Sequence, residues 1–344
     1  MLPPYLPPEK SAVTNDAAEL RSFLERAFAV SYVRASLSEL NLLPAATIDV
    51  RGQTFPCTQK FLEDLASFIR MPAIYAYEIE FDLFQHNFRE RKRVKDQAVQ
   101  VCVLDGRAVG LAPGEYRPAR TLDVLDALPS VEEGFWKIQK SLLSDRTVEI
   151  DLLSEDVVVE PRPGDVIRGG IRISNSETGG CGLKASLYTH RLLCSNGAVM
   201  SDSLGTVRWS YDRRVTYVSS IAKFSNDLVN LRNRQSGLKS VYSSAVERRL
   251  KEEDVTRLWR RIRSTGKFTP EDTNRILGIT DDERRRLASA VAGRQAANQP
   301  AEESAWDVFT IHNRITAAAK SFPFGTRSRL ERIGGNMLSS YSAN

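Results

Sequence analysis

Apolar and polar residues alternate along two stretches in the middle of the chain, 166–173 and 183–193. A polar, glycine-rich segment, Asn175-Ser-Glu-Thr-Gly-Gly180, separates them. This is the pattern of a β-hairpin with a long loop. The second strand runs into Cys194-Ser-Asn-Gly197, where Asn-Gly supplies the positive-φ chemistry of a turn. Period-two segments at 148–153, 157–161, 206–209 and 215–218 make 147–217 a β-rich middle. A second hairpin is predicted from 98–104 and 108–111 about Asp105-Gly106, and a short strand at 47–50.

On either side the spacing turns helical. Leu20, Phe23, Leu24, Ala27, Phe28 and Val30 predict a helix within 16–39, and Phe61, Leu62, Leu65 and Phe68 predict one at 59–69. Segment 75–84 decides between neither state. Beyond the β-rich middle, helices are predicted at 219–229 and 238–263. Shorter ones follow Thr269-Pro270 and the capping box Thr280–Glu283, and a last one at 305–321 returns Trp306, Phe309 and Ile315 to the core. The fold class is α+β: a β-hairpin-rich central sheet packed with N-terminal helices, then a helical, basic C-terminal part. In this reading 1–15 is an extended proline-rich tail, 16–238 the core and 239–300 the basic helical segment. Residues 301–344 are a helix returning to the core plus a tail.

With 42% apolar residues the chain can bury a sizeable core, yet no apolar run reaches the ~20 residues that span a bilayer. The prolines at the start do not suit a signal peptide, so a soluble cytoplasmic protein is expected. Four cysteines (Cys57, Cys102, Cys181, Cys194) and three histidines (His86, His190, His312) form no metal-binding spacing. We therefore expect no disulfide, metal or cofactor. Phosphate-loop, zinc-protease and serine-hydrolase motifs are absent. His190 and Cys194 share a strand face, but a small buried pair is the commoner outcome than a nucleophile. Asp151, Glu155, Asp156 and Glu160 are expected to face solvent rather than to pair for acid–base work. With no complete catalytic constellation, an enzyme ranks third among the function classes.

Charge sharpens the picture. Between Lys239 and Arg294 there are 14 Lys/Arg against 9 Asp/Glu, an excess equal to the whole chain's net charge of +5. Within the helix predicted at 238–263, Val255, Leu258, Trp259 and Ile262 share one face. The reading places Arg257, Arg260, Arg261 and Arg263 opposite them. Arginine grips phosphate with paired donors. At the central hairpin, Asn175 and Ser176 offer donors to an anion, or cap their own backbone, while Arg172, Lys184, Arg191 and Arg208 line nearby strands. Alternation puts Lys184 and His190 on one face and Arg191 on the other. Tyr188, Trp209, Tyr211 and Tyr217 offer flat faces for unstacked bases, with core packing as the alternative. The basic run 89–95 reads as a solvated surface. The helix–turn–helix outline around Gly278 lacks an apolar residue among Arg284, Arg285 and Arg286, against a packed DNA reader.

Asn175, Ser176, Glu177 and Gly179, followed by Arg191, Leu192, Cys194, Asn196 and Gly197, resemble the N-S-E/D-G and R-L-x-C-x-N-G signature of a phage/plasmid-like family whose domain has no assigned function. Gly110-Leu-Ala-Pro-Gly-Glu-Tyr116, Thr121-Leu-Asp-Val-Leu125 and the stretch Trp306 to Thr316 extend the similarity across about 53–320. The serine and arginine usual before that tyrosine are missing here. The resemblance implies a mobile-element setting but no reaction. The first expectation is a nucleic-acid-binding protein, homo-oligomeric, handling single-stranded DNA in recombination, annealing or replication. The second is a self-associating assembly protein of phage or plasmid origin without nucleic-acid chemistry.

Overall fold

The computed structural model describes residues 10–94, 96–128, 136–192, 196–199, 205–209, 216–266, 268–296, 300 and 303–342. The chain opens with β1 (Ser11–Thr14) and α1 (Ala17–Ser22), which continues as a π-helical turn at Phe23–Ala27. β2 (Val30–Ser36) is followed by a meander of β3 (Leu40–Leu43), β4 (Thr47–Val50) and β5 (Gln53–Pro56). Then come α2 (Gln59–Phe68), α3 (Tyr75–Glu78) and α4 (Phe81–Val94). β6 (Ala98–Leu104) and β7 (Arg107–Pro113) form the predicted hairpin, with φ of 53° at Asp105 and 70° at Gly106, and β2 completes that sheet. The helices cover these sheets through a core that includes Phe61, Leu62, Leu65, Phe84 and Phe88.

After α5 (Thr121–Asp126) the central sheet is laid down. Its strands are β8 (Trp136–Ser144), β9 (Val148–Val159), β10 (Ile167–Asn175), β11 (Lys184–Arg191), β12 (Asn196–Val199) and β13 (Thr206–Arg208). With β1 on its edge the order is β1-β8-β9-β10-β11-β12, all antiparallel, and β13 also pairs with β11. One face carries Ile150, Leu152, Ile171, Ile173 and Leu187, all buried. These join the core that takes in Phe224, Leu228 and Leu231 of α6 (Tyr217–Asn233). The opposite face is polar, and its middle is buried as well.

The rest of the chain is α7 (Leu238–Glu247), β14 (Arg249–Lys251), α8 (Glu252–Gly266), α9 (Pro270–Leu277), α10 (Asp281–Ala296), β15 (Glu303–Asp307), α11 (Val308–Ala319) and α12 (Phe324–Ser342). Several expectations are corrected. The helix predicted over 16–39 stops at Ala27, because the β-branched and aromatic run from Val30 pairs with β6 in the register Val30↔Leu104 to Ser36↔Ala98. Thr216 caps α6 instead of sitting in a strand, accepting a hydrogen bond from Ser219 N. The helix predicted over 238–263 is broken by β14, whose Arg249 and Lys251 face Asp307 and Glu303 of β15. The expected tail is a 19-residue helix, α12, that buries Leu330, Ile333, Met337 and Leu338. β8 was not expected at all. Among the described residues no helix is long and apolar enough to cross a membrane.

Candidate nucleic-acid interface

The Asn175–Gly180 loop is a polar knot inside the molecule. Asn175, Ser176 and Thr178 are each at most 3% exposed. Asn175 Nδ2 donates to the carbonyl of Ala119 (2.7 Å) and to Thr121 Oγ1 (3.0 Å). Ser176 Oγ donates to the carbonyl of Arg146 and accepts from Gly180 N, and Thr178 Oγ1 donates to the carbonyl of Asp145. Neighbouring tyrosines hold the loop's backbone, Tyr32 Oη on the carbonyl of Glu177 and Tyr116 Oη on that of Ser176. Burial raises the pKa of both phenols and that of Glu177, whose Oε1 accepts from Thr121 N. Gly110 is needed here: a Cβ would stand 2.4 Å from the Thr178 carbonyl oxygen. The adjoining cavity, about 20 Å³, has room for one water. Asn175 and Ser176 are therefore corrected as ligand donors: their side chains hold the start of α5 and the β8–β9 turn, while Tyr32 of β2 ties the loop's backbone to the smaller sheet.

Arg172 is corrected for the same reason. It is 4% exposed and grips Asp151 with two bonds, Nε–Oδ1 at 2.5 Å and Nη2–Oδ2 at 2.7 Å. Its Nη1 lies 2.5 Å from Glu331 and 3.5 Å from Glu149. Its Cζ stands 4.7 Å from the ring centroid of Tyr188, which is buried and so belongs to the core. Asp151 accordingly does not face solvent. Three carboxylates surround this guanidinium, and Arg327 reaches Glu331 as well at 2.8 Å; burial pushes the Glu149 carboxyl up while the two arginines beside Glu331 hold that group down. His190, on the same face, is shifted down by burial, and its Nδ1 has no hydrogen-bond partner among the described residues. Arg191 sits on the other face, paired through Nε and Nη2 with Asp165.

Lys184 and Arg208 do come together. They are cross-strand partners on β11 and β13, on the polar face. A third cation joins them from α12: burial, then Arg332 and then Arg208 lower the Lys184 pKa against the pull of Cys181 and Glu149. Nearby on the same face Lys140 is lowered by burial and by Arg327. Arg327 and Arg332 carried no sequence signal, because the segment that bears them read as a tail. Along α12, Arg332, Asn336 and Ser340 are not buried and recur one turn apart, leading from this cluster toward α8. There Ser340, Met337 and Ile333 line a cleft of about 190 Å³ together with Arg257 and Arg261.

On α8, Arg257, Arg260 and Arg261 are exposed as expected, and Val255, Leu258 and Ile262 are buried. Arg263 is exposed too, but the side of the helix expected for it is corrected. Four residues after Trp259, it lies on the same side of the helix and places its Cζ 5.4 Å from the indole centroid. The basic run at 89–95 is partly structural, since Lys92 is buried and donates to the carbonyls of Ser38 and Leu40. Trp209 and Tyr217 pack edge to face at 6.2 Å, with Tyr217 Oη donating to Asp123. Tyr211 and Cys194 lie outside the described residues. Cys57, Cys102 and Cys181 are free thiols, and among the described residues no group of His, Cys, Asp and Glu could hold a metal ion. No family model, no curated protein and no solved structure matches the chain.

Proposed function

We propose that this protein binds single-stranded nucleic acid, DNA in the first instance, in the recombination or replication of a mobile element. The observation that carries the reading is half-buried Lys184, which has Arg208 as its cross-strand partner on the polar face and feels the charge of Arg332 from α12. Holding like charges together costs stability, and a bound polyanion offsets that cost. The polar stripe on α12 leads from this cluster to the arginines of α8, and such a path suits a flexible backbone better than a rigid duplex. The mobile-element setting rests on the motif resemblance of Asn175–Gly179 and Arg191–Gly197 alone. Self-association is favoured by one separate feature, the exposure of Ile74, Tyr75 and Leu83 on and beside α3 and α4.

The test is an anisotropy titration with a labelled oligonucleotide, single-stranded and duplex, at two salt concentrations, beside a mass measurement in solution. Single strands should bind more tightly. Lys184→Gln and Arg332→Gln should each weaken binding across sequences and reduce the salt slope on a single strand by about 0.7. Absence of single-strand binding by the wild type at low salt removes the reading; an oligomer without binding puts assembly first.

A further inference from the structure

A second cleft, of about 180 Å³, lies between α8 and α10. Val255, Ile279 and Leu287 supply its apolar wall, and Trp259, Arg260 and Arg284 its flat and cationic part. No carboxylate is among its lining residues. The indole is fixed by its edge: Trp259 Nε1 donates to Asn274 Oδ1 at 2.8 Å, and Asn274 Nδ2 donates to Asp281 Oδ1 at 2.7 Å. The Arg284 Cζ stands 5.3 Å from the indole centroid, held there by an ion pair with Asp281 at 3.4 Å. Arg260 is exposed and makes no ion pair among the described residues. An apolar wall, a fixed aromatic whose ring carries the guanidiniums of Arg284 and, at 5.4 Å, Arg263, and a spare cation at the rim complement one kind of ligand. That ligand is planar and apolar on its faces and carries an anion at its edge.

We propose that this cleft takes one unstacked nucleobase of the bound strand, with the base against the Arg284–Trp259 stack and the adjoining phosphate on Arg260. The proposal rests on the nucleic-acid reading above and adds a site to it. Guanidinium planes and aromatic rings both stack on bases whatever the sequence, so the site gives affinity without sequence preference. It also gives the arginine side of α8 a register: phosphates follow the exposed guanidiniums while a base leaves the strand on the α10 side.

The test follows tryptophan emission of the full chain during titration with a short single-stranded oligodeoxynucleotide, and with an abasic strand of the same length. Anisotropy of the labelled strand is read in parallel. The intact oligonucleotide should change the wild-type emission, the Trp259→Phe variant should lose that change, and the abasic strand should not produce it. Arg260→Gln and Arg284→Gln should each weaken binding at least about fivefold. Arg260 is exposed, so its variant remains informative if Trp259→Phe fails to fold. An equal emission change with the abasic strand overturns the base pocket and leaves the nucleic-acid reading standing. So does wild-type affinity in both arginine variants. An emission change caused by an acidic aromatic peptide and not by the oligonucleotide reassigns the cleft to a protein partner and overturns the proposal. No oligonucleotide binding at low salt overturns the cleft and the broader reading together.

Discussion

Arg172 lies under the polar face of the central sheet with Asp151, Glu331 and Glu149 around it, whereas Arg260 stands outside α8 with no ion pair among the described residues. Both are arginines in a polar neighbourhood, and both were reasonable phosphate donors by composition. The difference lies in how each neighbourhood is made. A guanidinium does not give up its proton, so enclosing it requires anions and acceptors brought from elsewhere in the chain. On a helix surface water does that work, and the cation stays available. The same contrast separates the Asn175–Gly180 loop, whose donors end on carbonyls of the segments around it, from the arginine side of α8. Polar residues inside the β-scaffold hold the fold together; those on the outer side of α8 stay exposed to solvent.

The strongest way to break this contrast is to empty the interior cage. Arg172→Leu leaves Asp151 and Glu149 without their guanidinium and Glu331 with Arg327 alone. Removing one partner of a buried ionic group costs about 3–5 kcal/mol, and urea unfolding should show a loss of that order. A variant within about 1 kcal/mol of wild type would mean that the cage is hydrated and dispensable. The interior reading would then fail.

A second test uses pH. His312 is enclosed, its Nδ1 3.1 Å from the carbonyl oxygen of Gly334, and burial lowers its pKa to about 4. In the unfolded chain the imidazole takes a proton near pH 6.5. The folded state keeps it neutral, so its contribution is fully present above about pH 6.5 and is lost as pH falls toward 4. The loss over that window is about 3 kcal/mol. Glu149 acts in the opposite sense: its raised pKa favours the fold below the ordinary carboxylate value and less as pH rises. The informative quantity is therefore the difference between wild type and His312→Gln. That difference should fall steadily from pH 6.5 to 4; a flat one rejects the enclosed neutral imidazole.

How much of this was legible in the sequence follows from where each partner lies. The exposed arginines of α8 were readable because residues of one helix obey one period, and Val255, Leu258 and Ile262 fixed the inner side. Arg263 was misplaced although the same period, applied strictly, puts it one turn from Trp259. The Asn175 loop was not readable as interior. Its acceptors at Ala119, Asp145 and Arg146 come from other segments, and a polar Gly-rich stretch looks alike whether solvated or enclosed. The fold class came from the change of period, but β2, β14 and β15 did not. Pairing partners distant in sequence decide those strands, and local spacing carries no record of them. The cluster of Lys184 with Arg332 is invisible for the same reason: a cross-strand pair suggests Arg208 and nothing suggests a helix near the end of the chain.

The smallest expected effect on stability is also the sharpest test of the outer half of the comparison. Replacing Arg257, Arg260 and Arg261 together by glutamine removes three exposed cations and little packing. Arg257 pairs with Asp254 at 3.3 Å while its side chain stays 76% exposed, and such pairs contribute about 0–1 kcal/mol. The melting temperature should therefore stay close to that of wild type. Binding should change in a way that stability does not. Each lost phosphate contact leaves a counterion in place, so the slope of log affinity against log salt should become shallower by about 0.7 per contact on a single strand. For three contacts the change is about 2, well outside the effect of a simple loss of folded protein, which lowers apparent affinity without altering the slope. An unchanged slope at full stability rejects the arginine side of α8 as the contact and leaves the Lys184 cluster to carry any binding alone. A large drop in melting temperature instead places these arginines with Arg172, as part of what holds the molecule together, and the comparison itself collapses.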